Sequence, residues 1–214
     1  MKKNLTELVF VVDRSGSMAG LESDTIGGLN ATLQKNREVE GECMVSIVLF
    51  DNTSEVLVDR KPIEKVKDLT AAQYQVGGCT ALLDAVGDAV RYIDKVQKIL
   101  PKSHRAEHVM FAIITDGQEN ASRHHDYREV KHLIEKHQKK GWEFLFLGAN
   151  IDAAAEAGRM GIRADRATQY VSDATGTSLA YEAMACAQVS RRTSGKVNAS
   201  WAAAPMADAA ARGR

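Results

Sequence analysis

The sequence predicts an α/β fold whose central sheet is doubly wound and mostly parallel, with one antiparallel edge strand and helices on both faces. One observation is that apolar runs such as residues 8–12 and 109–114 are nearly continuous, as expected of strands buried on both faces. A second is that segments with helical spacing of apolar residues separate these runs, which is typical of a parallel sheet with crossover helices. A third is that 214 residues without an internal repeat fit one domain of ordinary size.

Turn residues bound the apolar runs, so each run is interpreted as a strand. The third run is short and follows a turn at residues 51–53, which makes it an antiparallel neighbour of the second strand. In chain order, we expect strands at about residues 5–12, 44–50, 55–59, 109–115, 142–147 and 168–171.

Five helices are predicted from apolar residues that recur three and four positions apart. In the second helix, Leu83, Val86, Val90 and Ile93 mark one face, and the helix must stop before the next proline. Gly141 ends the third helix. In chain order, we expect helices at about residues 24–35, between Thr80 and Pro101, and at 127–140, 153–160 and 178–190.

These elements place one folded domain at residues 1–192. The remaining segment, 193–214, is rich in alanine, contains Pro205 and Gly213, and has no apolar periodicity. We therefore expect a flexible C-terminal tail there.

The charge balance and the cysteines narrow the functional classes. Lys+Arg and Asp+Glu both number 28, so no basic field favours nucleic acid. Cys43, Cys79 and Cys186 are odd in number and far apart, which predicts reduced thiols rather than a disulfide framework or a zinc site. The run at 8–12 is too short for a secretion signal, and no run approaches the ~20 apolar residues that span a bilayer. We expect a cytoplasmic protein that binds neither nucleic acid nor membrane.

Oxygen-bearing side chains follow two of the buried strands and one loop. Asp13, Ser15 and Ser17 come directly after the first strand, Asp116 follows the fourth, and Thr80 lies in a Gly-rich loop before a helix. In an open α/β sheet, ligands bind where the carboxyl ends of strands meet at a switch in strand order. Carboxylate and hydroxyl oxygens are the donors that a hard divalent cation prefers. The sequence therefore predicts a metal site at this edge.

The pattern Asp13-x-Ser15-x-Ser17, Thr80 and Asp116 resembles the metal-ion-dependent adhesion site of von Willebrand factor type A domains. The resemblance covers roughly residues 5–190 and implies a Rossmann-like fold in a stand-alone, bacterial-type intracellular member. It implies Mg²⁺, with Mn²⁺ or Ca²⁺ as alternatives, bound through the two serines and either Thr80 or Asp116. The remaining carboxylates would act through water.

The resemblance implies a protein-binding module rather than an enzyme. A partner protein would supply an Asp or Glu that completes the coordination of the ion; the identity of the partner and the oligomeric state stay open. The alternative is a phosphohydrolase or nuclease that uses the same ion as a Lewis acid. Haloacid-dehalogenase-like phosphatases need a second carboxylate two residues after the first aspartate, and here Ser15 occupies that position. No lysine follows in a phosphate-binding Gly-rich loop either.

Other polar residues near the strand ends have simpler interpretations. Asp51 is expected in a turn, and Asp152 is expected to cap a helix. Asp84 could complement its helix dipole or orient waters near the metal, and both readings stay open. Glu119 is expected in an exposed loop. The pair at residues 124–125 is not expected to bind a metal, because adjacent side chains do not face one another.

Overall fold

The computed structural model describes residues 1–213, which contain one mixed sheet of six strands. The strands are β1 (Lys2–Asp13), β2 (Glu42–Phe50), β3 (Ser54–Pro62), β4 (Ala106–Thr115), β5 (Glu143–Ala149) and β6 (Ala167–Tyr170). They lie in the order β3-β2-β1-β4-β5-β6. All neighbouring strands pair in parallel except β2 and β3, which are antiparallel. The predicted fold class is therefore confirmed.

Helices cover both faces of the sheet, as predicted. The helices are α1 (Glu22–Arg37), α2 (Leu82–Ile99), α3 (Tyr127–Gln138), α4 (Ala153–Arg159), α5 (Ala174–Ser194) and α6 (Ala203–Ala211). Alternate residues of β1 divide between the two faces: Phe10 packs in the core beneath α1 and α5, and Val11 packs in the core beneath α2, α3 and α4. Within residues 1–213, no helix is both long and apolar enough to cross a membrane.

The strand order reverses between β1 and β4. From β1 the chain builds β2 and β3 on one side of the sheet, and it then returns to add β4, β5 and β6 on the other side. The loops after β1 and β4 consequently leave from adjacent strands in opposite directions, which opens a crevice at their carboxyl ends. Asp13 is the last residue of β1, and Asp116 follows the last residue of β4.

The last helix of the predicted domain, α5, is longer than its apolar spacing suggested. It begins four residues earlier than predicted because the side chain of Asp173 accepts a hydrogen bond from the Gly176 amide at 2.8 Å and caps the first turn. It continues to Ser194, where Gly195 adopts a left-handed conformation with φ of 74°.

The C-terminal segment corrects the expectation of a flexible tail. Residues 203–211 form α6, which packs against α5 and β6. Trp201 is 6% exposed, and its indole Nε1 donates a hydrogen bond to the Asp165 carbonyl at 2.9 Å. Alanine is the strongest helix former, so an Ala-rich segment without periodicity can still fold once such an anchor fixes it to the domain. Arg214, the last residue of the predicted tail, lies outside the described residues.

Candidate metal centre

The five residues predicted to form the metal site come together at the switch point of the sheet. Asp13, Ser15, Thr80 and Asp116 are buried, whereas Ser17 is exposed at the rim. The group therefore forms a cup that is closed from below by the sheet and open on the side of one hydroxyl.

Three hydroxyl groups form a continuous chain in this cup. The Thr80 hydroxyl donates a hydrogen bond to Ser15 Oγ at 3.1 Å, and Ser15 Oγ lies 3.0 Å from Ser17 Oγ. Gly117 leaves room for them, because a Cβ atom there would lie 2.9 Å from Ser17 Oγ and 3.2 Å from Thr80 Oγ1. Neutral oxygens at this spacing are suited to sharing one hard cation.

Both carboxylate oxygens of Asp13 accept hydrogen bonds within the protein. Oδ1 accepts from the Ser15 amide at 2.7 Å, and Oδ2 accepts from the Thr115 hydroxyl at 2.5 Å. Burial raises the pKa of Asp13 to about 6, although these hydrogen bonds favour the ionised form and lower it. A carboxylate that is held in this way is ordered for contact with an ion through water.

Asp116 differs from Asp13 because one of its oxygens has no partner. Its Oδ1 atom is buried and accepts no hydrogen bond from any residue in the described part of the chain. Its Oδ2 atom lies 3.5 Å from the Ser172 hydroxyl, which is the limit for a hydrogen bond. Burial raises the pKa of Asp116, and the nearby Ser17 and Ser172 hydroxyls, which favour the ionised form, offset this only in part. An unpaired buried acceptor needs an explanation, and a bound cation would supply one.

The loop that carries Thr80 is fixed from two sides. The Gly16 amide donates to the Gly78 carbonyl at 3.0 Å, and the Thr80 amide donates to the Asn120 side chain at 2.9 Å. Gly78 has a φ of +78°, which a residue with a side chain rarely adopts. The loop therefore presents the Thr80 hydroxyl in one defined position.

Four supporting residues were not identified from the sequence. Thr115 holds Asp13, Asn120 holds Thr80, and Ser172 lies beside Asp116. Tyr74 donates a hydrogen bond to the Asp13 carbonyl at 2.5 Å. Thr115 stands next to Asp116 in the chain and could have been suspected for that reason. Tyr74 and Ser172 lie in segments without a recognisable local pattern.

Asp84 and Glu119 both hold the segment that follows Asp116. The Asp84 carboxylate accepts hydrogen bonds from three successive backbone amides, those of residues 123–125, at 2.8–2.9 Å. Glu119 accepts from the amides of Leu83 and Ser122 at 2.9 and 2.8 Å. Because these bonds fix α2 to the loop after β4, both carboxylates have structural roles.

The remaining candidates also have structural partners. Asp152 accepts a hydrogen bond from the Ala155 amide at 2.9 Å and caps α4, as predicted. Asp51 accepts from the Thr53 amide at 2.9 Å, which is a turn contact, and also pairs with Arg14 at 2.9 Å.

Within the pair at residues 124–125, the second imidazole has two carboxylate partners. His125 bridges Asp88 and Glu129 at 2.9 and 3.0 Å. Throughout residues 1–213, no three His, Cys, Asp or Glu side chains converge in a metal-binding arrangement. A metal at the switch point would therefore depend on the hydroxyl oxygens.

No protein-family model and no curated protein matches this sequence. Solved structures do match its fold. Proximal thread matrix protein 1 from the mussel byssus superposes with a TM-score of 0.57 at 16% identity, over 85% of this chain and 45% of that chain. The same mussel protein has a structure described as having a zinc-occupied MIDAS motif.

Two microbial structures match in the same way. The ArnB paralog VWA2 from Sulfolobus acidocaldarius gives a TM-score of 0.51 at 17% identity, over 85% of this chain and 45% of that one. The vWF domain of the pilus tip protein Mfa5 from Porphyromonas gingivalis gives 0.60 at 9% identity, over 90% and 98%. The chain thus spans less than half the length of the mussel and Sulfolobus proteins. It has the fold of von Willebrand factor A domains.

Proposed function

We propose that this protein is a metal-dependent protein-binding module, in which a divalent cation at the switch point captures an acidic residue of a partner protein. The observation that carries the proposal is the unpaired, buried Oδ1 of Asp116 beside the hydroxyl chain of Ser15, Ser17 and Thr80. A single cation would contact the hydroxyls of Ser15 and Ser17 together with either Thr80 or Asp116, and Asp13 would act through water.

The donor chemistry favours Mg²⁺, with Mn²⁺ or Ca²⁺ as alternatives. All of the candidate donors are oxygens, whereas zinc favours imidazole and thiolate ligands. The zinc-occupied MIDAS motif of the mussel structure shows that a protein of this fold binds a divalent ion. For this chain, the oxygen-only set favours the harder ions.

The charge of the site favours an acidic partner. If three neutral hydroxyls contact the ion, only Asp13 and Asp116 balance its two positive charges, and at least one of them acts at a distance. A carboxylate from outside then gains both a coordination position and a strong attraction at the edge of a buried cup. The exposed position of Ser17 leaves that side accessible.

The same contacts give less support to the phosphohydrolase or nuclease alternative. The five candidate metal-site residues form their described hydrogen bonds with hydroxyls, with backbone groups and with the Asn120 side chain. Nucleophilic catalysis would require an adjacent base such as His, and none takes part in these bonds within residues 1–213. We propose that the protein is not an enzyme, and turnover of simple phosphoesters that requires Mg²⁺ and Asp13 would refute this.

Binding of Mn²⁺, observed by water-proton relaxation, tests the proposed function. We expect wild-type protein to bind Mn²⁺ with water still on the ion, and the relaxation enhancement to fall when a peptide with a central Glu is added. The matched peptide with Gln should have no effect. Ser15→Ala should weaken Mn²⁺ binding. Ser103→Ala should not, because Ser103 precedes β4 and lies at the amino ends of the parallel strands, away from the candidate site. Equal Mn²⁺ binding by both variants would refute the proposed site.

A cytoplasmic location belongs to the same proposal. Cys43, Cys79 and Cys186 are unpaired thiols in the described chain, which is the usual state in a reducing compartment. Fractionation of the native cells would test the location directly.

A further inference from the structure

A polar cavity lies beside the candidate metal centre. Its volume is about 440 Å³, and it is lined by the segments that follow β4 and β5 and by the end of β6 with the two residues after it. The side chains that give it polar character are Gln118, Asn150, Asp152, Gln169 and Ser172. A cavity of this size accommodates a large side chain.

The cavity and the metal centre share a wall. Ser172 lines the cavity, and its hydroxyl lies 3.5 Å from Asp116 Oδ2. Gln118, which also lines it, is two residues beyond Asp116 in the chain. Because an extended peptide advances about 3.3–3.6 Å per residue, residues on one side of a partner's metal-binding acid would be within reach of this cavity.

The lining groups have free hydrogen-bonding capacity. In the described part of the chain, the side-chain amides of Gln118, Asn150 and Gln169 form no hydrogen bond with another residue. Asp152 uses Oδ1 to cap α4, which leaves Oδ2 for a further donor. Each of the three amides offers a carbonyl acceptor and an NH₂ donor, whereas the free Asp152 oxygen is an acceptor that carries negative charge. A ligand rich in donors can therefore bind the Asp152 oxygen and the amide carbonyls together.

The charges near the cavity favour a cation. Its lining residues include Asp152 but no Lys, Arg or His. At the metal centre, two positive charges of the ion would be balanced by Asp13 and Asp116, so that a partner carboxylate leaves one excess negative charge. The Asp152 carboxylate adds a second. A second acid on the partner would be repelled here, and a basic side chain would be attracted.

We propose that this cavity receives a Lys or Arg side chain that lies within three residues of the metal-binding acid in the partner. This inference rests on the proposed function and deepens it, because it defines the partner's motif as an acid close to a base. The acid supplies the metal ligand, and the base contacts Asp152 and the amide oxygens.

A peptide display library with a fixed central Glu and three random residues on each side tests the inference. Selection on the wild-type protein in Mg²⁺ should enrich Lys and Arg at one or two flanking positions by about threefold to fivefold, which is the range of an exposed ion pair. A library with central Gln, and selection in EDTA, provide the controls for metal-dependent capture.

Asp152→Asn gives the decisive variant, because Asn caps a helix as well as Asp does and only the charge is removed. The Lys and Arg enrichment should disappear, while Glu-dependent binding and Mg²⁺ affinity persist. The matched control is Asp126→Asn, which changes the N-cap of α3 in the same way and lies outside the cavity lining. That variant should keep the enrichment. Melting temperatures of both variants check that the fold is intact.

Each outcome has a distinct meaning. Capture of Glu peptides in Mg²⁺ without a preference for a base, or with an equal preference in Asp152→Asn, overturns this inference and leaves the proposed function standing. Failure to capture any Glu peptide in a Mg²⁺-dependent way overturns the proposed function and this inference with it.

Discussion

The substitution Gly117→Ala adds one methyl group at the point where the hydroxyl groups of the candidate metal centre converge. The new Cβ atom would lie 2.9 Å from Ser17 Oγ and 3.2 Å from Thr80 Oγ1. Gly117 does not have a positive φ, so the backbone accepts alanine without strain. The perturbation therefore acts on the hydroxyls of the candidate site rather than on the backbone.

The structure sets the size of the effect. Ordinary van der Waals contact begins near 3.4 Å, so Ser17 Oγ must move by about 0.5 Å and Thr80 Oγ1 by about 0.2 Å. Metal sites tolerate ligand displacements of only about 0.2 Å, and Mg²⁺ demands nearly ideal octahedral geometry. We expect the affinity for Mg²⁺ to fall by about 10-fold to 100-fold, which is the usual effect of disturbing the orientation of metal ligands. Rotation of the serine hydroxyl relieves the contact, so the free energy of unfolding without metal should change by less than about 1 kcal/mol.

Isothermal titration with Mg²⁺ and thermal unfolding in EDTA measure the two quantities separately. Gly27→Ala is the control, because a Cβ atom there meets nothing within 4 Å and Gly27 lies inside α1. It should leave Mg²⁺ affinity unchanged and stabilise the fold by about 0.5–1 kcal/mol. Wild-type affinity in Gly117→Ala would refute the assignment of the hydroxyls as ligands.

Three further predictions concern the support of the site and of the fold. Thr115→Val removes a hydrogen bond to Asp13 and should lower Mn²⁺ affinity about 10-fold, as measured by titration; unchanged affinity would mean that Asp13 needs no such support. Burial alone would lower the pKa of His125, but its two carboxylate partners outweigh burial and raise it. The stabilisation that protonated His125 gains from these carboxylates is therefore complete below pH ~6.5 and is lost as pH rises through the folded-state pKa. The melting temperature of the wild type should fall with rising pH relative to that of His125→Gln. Parallel melting curves for the two proteins across this pH range would contradict the role of His125. Trp201→Ala should cost about 3 kcal/mol in urea unfolding without altering Mn²⁺ affinity, and a loss well below 1 kcal/mol would mean that α6 is not anchored.

The convergence of the candidate metal-site residues was predictable because each has a local signal. Asp13 and Asp116 follow apolar runs directly, and a parallel sheet brings the carboxyl ends of such runs to one edge. The carboxyl ends of β1 and β4 are adjacent because these two strands are neighbours in the sheet. The order of the strands along the chain does not reveal which strands are neighbours, and this was inferred from the resemblance to von Willebrand factor type A domains.

The supporting contacts were not predictable because they join distant parts of the chain. Tyr74 reaches the backbone of Asp13 across 61 positions, and Ser172 reaches Asp116 across 56. In each pair, the chain that joins the two residues takes its final position only when the helices have packed on the sheet. A single capping signal, Asp173 before α5, could have corrected the start of that helix.

The C-terminal helix shows a different limit of sequence patterns. Residues 203–211 lack apolar periodicity, yet α6 forms because alanine favours helix and Trp201 fixes the segment beside β6. Periodicity detects a helix that buries a wide face. It fails for a short helix that needs only a narrow contact.

A crystal structure of the protein grown with Mg²⁺ and a Glu-containing peptide would show whether a cation at the switch point captures a partner's acid. We expect one octahedral ion that contacts the hydroxyls of Ser15 and Ser17 together with Thr80 or Asp116, at about 2.0–2.1 Å. The peptide carboxylate should occupy a further position, and Asp13 should contact the ion through water. An ion bound elsewhere, or one whose coordination is completed by the protein alone with the peptide absent, would refute the proposed capture.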